Sequence, residues 1–222
     1  MSSARQLRIP PTSTVMNLED LAASGGEVIR AGSWKKAEIR RIQDDGRNVV
    51  IKDWRTVPAW LRPWATWLMA REAEIYVALA GMPGVPRLLA AGNRILAIEH
   101  VPGAPISTFM GGRGRRLALG PRLEAAVREM HERGVYHADL HYRRNILVTP
   151  EGDIGIIDFA SAVDCRRLGV MGRLFRPLLA LLDHYALIKW KGGVDPDSLT
   201  RRERRLLILL DTLRLKPRSR RS

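Results

Sequence analysis

The stretch VYHADLHYRRNILVTPEGDIGIIDFASA, Val135 to Ala162, decides how the rest of the chain is read. His137, Asp139, His141, Asn145 and Asp158 stand among two short apolar runs, NILV and IGII, of strand composition. Between the runs, TPEGD supplies the turn of a hairpin. Ionisable groups set directly beside strand material suit three arrangements: a metal site, a phosphoryl-transfer site, or the polar turn of a solvated hairpin.

For a metal, His137, Asp139 and His141 form H-x-D-x-H, with Asp158 as a further ligand. Imidazole and carboxylate suit zinc, and alternate residues of an extended segment share a face. No helical His-Glu pair or cysteine partner accompanies them. A zinc-dependent hydrolase is the reading this pattern supports.

Phosphoryl transfer makes a longer list of demands. It needs a carboxylate near the attacking hydroxyl, and a carboxylate and an amide to hold Mg²⁺ on the phosphates. It also needs a strand lysine to neutralise phosphate oxygens, and a helix carboxylate to hold that lysine. Outward from the opening stretch, the chain supplies each in order: Lys52 in VVIK, Glu72 on the helix that follows, Asp139 and Asn145 in the polar loop, and Asp158 after GII. Alone, Lys52 reads as a solvated strand residue and Glu72 as half of a helix ion pair. All five in one chain order are more specific than any member.

The flanking pattern agrees with an α+β chain. Alternating residues Ala37, Ile39 and Ile42, the turn DDGRN and the run NVVIKDW predict paired strands, with Val50 and Lys52 on one face and Val49 and Ile51 on the other. Trp60, Trp64, Trp67, Leu68, Ile75 and Leu79 recur at helical spacing, and Gly81 and Pro83 end that helix. RLLAAGNRILAIEHV predicts two strands around a Gly-Asn turn. PRLEAAVREMHERG predicts a helix with Leu123, Val127 and Met130 on one face. Beyond Cys165 the pattern is mostly helical, with Thr200 and Glu203 forming a capping box. Strands segregated from helices predict an α+β protein of two lobes. The boundaries fall at 1–20 for an irregular N-terminal arm, 21–100 and 101–198 for the lobes, and 199–222 for a basic helix and tail.

These motifs resemble the protein-kinase-like superfamily, and within it the small bacterial RIO-like and lipopolysaccharide-core (Kdo/heptose) kinase group. HADLHYRRNILV is similar to the catalytic loop, IIDFA to the metal-binding Asp-Phe-Gly segment, and LAIEHVPGAPI to the hinge between lobes. GMPGVPRLL resembles the link from the helix to the next strand, and DHYALIKWKGG resembles the bacterial subgroup. The likeness runs from Val28 to Thr200 and is strongest from Met130 to Ala162.

The resemblance implies a two-lobed kinase fold binding ATP and Mg²⁺. It implies Lys52 on the α- and β-phosphates, held by Glu72 with Glu74 as the fallback, and Asp139 orienting the acceptor hydroxyl. Asn145 and Asp158 would ligate Mg²⁺, and His137 would buttress the loop. Val50 and Leu147 would sandwich the adenine, and backbone groups of Glu99 and Val101 would bond its edge. Ser33, Lys35 and Lys36 would cover the phosphates. The chain departs from the pattern in several places. AGSWKKAE has one glycine, Gly32, where several are usual, and Asp139 and Asn145 are one residue further apart than in most kinases. Asp158-Phe159-Ala160 lacks the final glycine. Ala138 replaces the arginine that answers a phosphorylated activation loop. A kinase fold without chemistry, a pseudokinase acting as a binding module, is the alternative these departures support.

Composition narrows the partners. The 222 residues carry a formal charge of +14, which favours anionic partners. From Arg201 to Ser222 there are nine Lys/Arg against two Asp/Glu, half of that surplus in a tenth of the length. No recognised nucleic-acid-binding motif accompanies the charge, which counts against a nucleic-acid partner. The acceptor implied is a hydroxyl, on a protein Ser/Thr or on an anionic glycolipid. Trp54, Trp60, Trp64 and Trp67, with Arg55 and Arg62 between them, read first as packing against the sheet. Their second reading is an interfacial anchor that would give peripheral membrane contact. VMGRLFRPLLALLDHYALIKW mixes basic and apolar residues in the same way and reads first as helix packing. The single cysteine, Cys165, fits a reducing compartment, and the N-terminal MSSARQLRIPP has no apolar signal region. A cytoplasmic place is expected, peripheral at the cytoplasmic face of the inner membrane if the anchor reading holds. Nothing in the sequence sets an oligomeric state.

Overall fold

Five strands order the first half of the chain: β1 (Glu27–Arg30), β2 (Glu38–Asp44), β3 (Arg47–Asp53), β4 (Leu88–Gly92) and β5 (Ile95–Glu99). They form one antiparallel sheet in the order β1-β2-β3-β5-β4. The structure is a computed structural model that describes residues 18, 21, 24–34, 36–109 and 112–213, with the backbone alone at 113, 210, 211 and 213. Most of the expected N-terminal arm, Lys35 and the basic tail beyond 213 lie outside the described residues. The chain divides into two compact units, one running to Gly81 and including Pro86–Val101, the other comprising Met82–Val85 and everything from Pro102.

In the first unit the β2–β3 hairpin turns at Asp45 and Gly46, both at positive φ, as a right-twisted two-residue turn requires. Alternation along β3 then sorts its side chains. Val49 and Ile51 join Ile42, Ile95, Ala97 and Leu21 in a core on one face of the sheet, with Leu18 packed against it. Leu18 and Leu21 have helical backbone. Val50 and Lys52 take the other face, opposite Ile98 and Leu96 of β5.

The helix α1 (Arg62–Ala78) follows a single 3₁₀ turn at Ala59–Leu61, with Pro63 tolerated in its first turn. Its buried stripe is Ala65, Met69, Glu72, Ala73, Ile75 and Tyr76, not the tryptophans. Trp60, Trp64 and Trp67 are exposed, which overturns the expectation that they pack on the sheet. The small Ala65 and Ala73, both fully buried, allow a close approach that indoles would prevent. Of the four tryptophans in that cluster only Trp54 is buried, and Trp64 meets it edge-on with ring centroids 5.2 Å apart.

The second unit combines α2 (Arg113–Glu132), α3 (Gly169–Val194) and α4 (Arg201–Leu213) with short strands. β6 (Ala104–Pro105), β8 (Ile146–Val148) and β9 (Ile154–Ile156) form one sheet; β7 (Val135–Tyr136) pairs with β10 (Val163–Asp164). Leu123, Val127 and Met130 are buried on α2 as their spacing predicts, but the helix begins eight residues before Pro121. The run RGRRLAL after Gly112 is made largely of helix formers, and Leu119 anchors it in the core, so the proline is carried inside. The capping box forms as expected: the Thr200 N–H donates to Glu203 Oε2 at 2.7 Å, and the Glu203 N–H to Thr200 Oγ1 at 3.1 Å. Met82–Val85 belongs here because the Ile156 N–H donates to Gly84 O at 2.9 Å. Gly84 has φ +75°, and a Cβ on it would stand 2.0 Å from Ile154 O, so only glycine fits the link.

Candidate active site

Lys52 sits on the central strand β3 with α1 across the sheet face it occupies. Its Nζ lies 2.5 Å from Glu72 Oε1, and the two side chains are 6% and 1% exposed. Tyr76, one turn along α1, directs its hydroxyl toward the same Glu72 oxygen at 3.5 Å. The pair settles the choice of helix carboxylate in favour of Glu72 over the half-buried Glu74. A buried pair of this kind adds little net stability, because desolvation offsets the attraction. Its constraint is positional: the ammonium is held at one point of the sheet.

Val50, Glu99, Val101 and Ser33, expected at the nucleotide, belong to the same unit. Val50 is two positions from Lys52 on the same face of β3. The Glu99 N–H is donated to Arg87 O at 2.9 Å, so an adenine edge could use only the Glu99 carbonyl, with Val101 two residues on. The Glu99 side chain is engaged by the Arg87 guanidinium at 2.8 Å, which holds its carboxyl below the usual range. Ser33 and Lys36 bond each other's backbones at 2.9 and 3.2 Å, closing the segment between β1 and β2 into a tight turn. Ser33 is exposed there.

In the second unit the polar loop is built from its backbone outward. Asp183, wholly buried in α3, accepts the Ala138 N–H on Oδ1 and the His137 N–H on Oδ2, each at 2.9 Å. His131 of α2 reaches the same Oδ2 at 2.9 Å. Ala138 has φ +61°, a strained value for alanine, and Asp183 holds both amides around it. His137 is fully buried, donates from Nε2 to Ile157 O at 3.1 Å, and packs against Phe159. Burial pushes its pKa down, the Ile157 bond opposing, so the ring is neutral and serves as a buttress.

These contacts join the loop to the segment carrying Asp158. Asn145 donates from Nδ2 to Asp139 O at 3.1 Å, and its own carbonyl accepts the Ile157 N–H at 2.9 Å. Asp158 follows at φ +65°, the left-handed region. The loop carrying Asp139 and Asn145 is thus joined to the backbone just before Asp158, with Leu147 buried on β8 two residues beyond Asn145. His141 stands 3.3 Å from Asp139 Oδ1, with both side chains a quarter exposed. The bond from Asn145 Nδ2 fixes the amide so that its oxygen is the remaining donor to a cation. An amide oxygen and a carboxylate are the hard donors that Mg²⁺ takes alongside phosphate oxygens.

The zinc expectation is not met. Among the described residues no group of three or more His, Cys, Asp or Glu comes together to hold a metal. The positive φ of Ala138 breaks the alternation that would have put His137 with Asp139 and His141, and the His137 ring is committed to Ile157. Sequence reasoning also missed Asp183. Its visible sign was one acid inside the apolar run PLLALLDHYALI, where an unpaired charge could not be buried. Cys165 is buried and its thiol pKa is raised by that burial, as an inert residue's would be.

A five-stranded antiparallel sheet with one helix, followed by a largely helical part, is the protein-kinase-like α+β fold. The solved structure of a Rio2 kinase–ADP/Mg²⁺–phosphoaspartate complex from Chaetomium thermophilum matches 88% of this chain and 74% of its own with a TM-score of 0.53, at 16% sequence identity. Among curated proteins, the probable SapB synthase of Streptomyces coelicolor is 32% identical over 113 residues, 41% of this chain and 12% of that protein. The chain therefore spans about an eighth of the length of that relative. No family model matches the chain. Among the described residues no helix is long and apolar enough to cross a membrane.

Proposed function

We propose that the protein is an ATP-dependent phosphotransferase that moves the γ-phosphoryl group to a hydroxyl, on a protein Ser/Thr or on a sugar of a lipopolysaccharide core. The observation that carries this reading is the buried Lys52–Glu72 pair at 2.5 Å, a fixed cation on a central strand that structural economy alone does not favour. The kinase-like fold and the joined Asp139–Asn145–Asp158 loops support it, as does the likeness to a Rio2 kinase whose structure is a complex with ADP/Mg²⁺.

In this reading Lys52 neutralises α- and β-phosphate oxygens, and Glu72 keeps it in place. In the first unit Val50 packs on the adenine, with the Glu99 carbonyl and the Val101 backbone on its edge; the second unit offers Leu147 as an apolar contact to it. Ser33 lies in the turn that covers the phosphates. Asn145 and Asp158 hold Mg²⁺, which when bound would neutralise charge on the β- and γ-phosphates. Asp139 orients the acceptor hydroxyl. The acceptor oxygen bonds to the γ-phosphorus as the bond to the β–γ bridging oxygen breaks, ADP leaves, and the hydroxyl proton passes to the Asp139 carboxylate.

The test is transfer of label from γ-labelled ATP with Mg²⁺, comparing wild type with Asp158→Asn, against a cell-envelope extract and a soluble protein extract. Transfer abolished by the substitution establishes the kinase, and the labelled fraction gives the acceptor class. A folded protein that binds ATP without transferring label would be a pseudokinase. Neither binding nor transfer would overturn the reading.

A further inference from the structure

The first half of α3 is left uncovered. From Arg166 to Leu178 every residue except Gly172 is exposed. Leu168, Val170, Met171, Leu174, Phe175 and Leu178 stand 43–78% exposed, which overturns the expectation that this part of the helix packs. Four arginines, Arg166, Arg167, Arg173 and Arg176, interleave with them, and the segment has no Asp or Glu. The packing that the apolar composition suggested is confined to the second half, where Tyr185, Ala186, Ile188 and Trp190 are buried. Gly172 explains how the helix start is held: a Cβ there would stand 2.0 Å from Cys165 O, so the backbone of α3 lies directly on the segment after β10 and its outer side chains face away.

On the opposite side of the same turns, where Gly169 and Gly172 lie, is a cavity of about 380 Å³ lined by Arg166, Arg173, Arg176, Tyr136 and His131, with Glu132 as its one carboxylate. Arg176 donates from Nε to the Tyr136 hydroxyl at 2.7 Å, and Arg166 to the Glu132 carbonyl, which fixes two guanidinium groups at its wall.

We propose that the exposed apolar side of α3 from Leu168 to Leu178 docks onto an anionic lipid bilayer, its apolar side chains entering the acyl boundary and the arginines of the segment drawing it to phosphate headgroups. Charge decides among occupants. A second copy related by a two-fold axis would set arginine against arginine. Nucleic acid would satisfy the arginines, but the aliphatic side chains gain nothing on a phosphate backbone, and Phe175 is the one ring of the segment available to stack on a base. An apolar stripe of Leu, Val, Met and Phe on a helix that carries arginines along its other side is what an anionic membrane surface rewards twice, by burial and by attraction. Docking of this kind is independent of phosphotransfer.

Flotation of the full chain with vesicles tests it, using phosphatidylcholine alone and phosphatidylcholine with phosphatidylglycerol. Binding is expected to the mixed vesicles and to be far weaker on the neutral ones. The double substitution Leu174→Asp, Phe175→Asp, at two exposed positions, should lower the mixed-vesicle partition at least about tenfold with circular dichroism and thermal unfolding unchanged. Arg173→Glu should lower it several-fold and make the remainder less sensitive to salt. Binding that survives the double substitution would place the membrane contact elsewhere, on the basic C-terminal residues, and overturn the proposal. Absence of binding to either vesicle would overturn it as well. So would a dimer in sedimentation velocity that the double substitution dissociates, or retention of a labelled RNA that it abolishes.

Discussion

Lys52 and Glu72 show what a single pair of residues can and cannot contribute. Removing one partner leaves a charge stranded in the sheet–helix interior, so Glu72→Ala should destabilise the protein by about 3–5 kcal/mol in urea unfolding. The double change Lys52→Met, Glu72→Leu removes both charges and should restore most of that stability. If the pair exists for phosphate binding, the restored protein will still not transfer phosphate; recovery of activity would show the pair to be structural. His137 gives a second prediction at this scale. Its pKa is lowered on folding, so the unfolded chain binds a proton that the folded one excludes. Its contribution to stability is complete above the ordinary value of 6.5 and is lost as pH falls below it. Denaturation midpoints should therefore drop more steeply between about pH 6.5 and 5 in the wild type than in His137→Gln.

At the scale of elements, one helix governs the loop that the opening stretch encodes. Asp183 reaches from α3 to the backbone of His137 and Ala138 and to the His131 ring of α2, tying two helices and a strained turn together. Asp183→Asn keeps the shape but turns an acceptor oxygen into a donor facing N–H groups. A loss of about 2–4 kcal/mol is expected, with phosphate transfer falling further than the folded fraction at the same temperature. Equal falls in both would limit Asp183 to stability. The strands were the most legible elements, because alternation in VVIK and the Asp-Gly turn report directly on pleat and hairpin. Helix faces were less so: the tryptophan spacing on α1 was helical, yet the buried stripe ran through alanines. Periodicity locates a helix and its stripes, but which stripe meets the sheet depends on how close the backbone must come.

For the whole molecule, the surplus of +14 and the kinase-like fold make complementary demands on partners. A ligand that binds only the folded chain stabilises it by mass action, about 2.7 kcal/mol at a hundred times its dissociation constant. Mg²⁺ with ATP should raise the unfolding temperature accordingly. Asp158→Asn should abolish the Mg²⁺-dependent part of the shift and leave any metal-free part. A shift of equal size with and without Mg²⁺ in the wild type would count against Asn145 and Asp158 as its ligands.

By itself the sequence determined the α+β class and the strand that carries Lys52, since these depend on residue type, order and period-two alternation. Only the tertiary structure decided that Glu72 rather than the fallback Glu74 meets Lys52, that the His137 ring is committed to Ile157, and that Asp183 holds the loop. It alone decided that the tryptophans of α1 and the first half of α3 face outward. Local pattern sets which side chains share a face. Burial is set by what packs against that face, and those contacts come from residues far away along the chain.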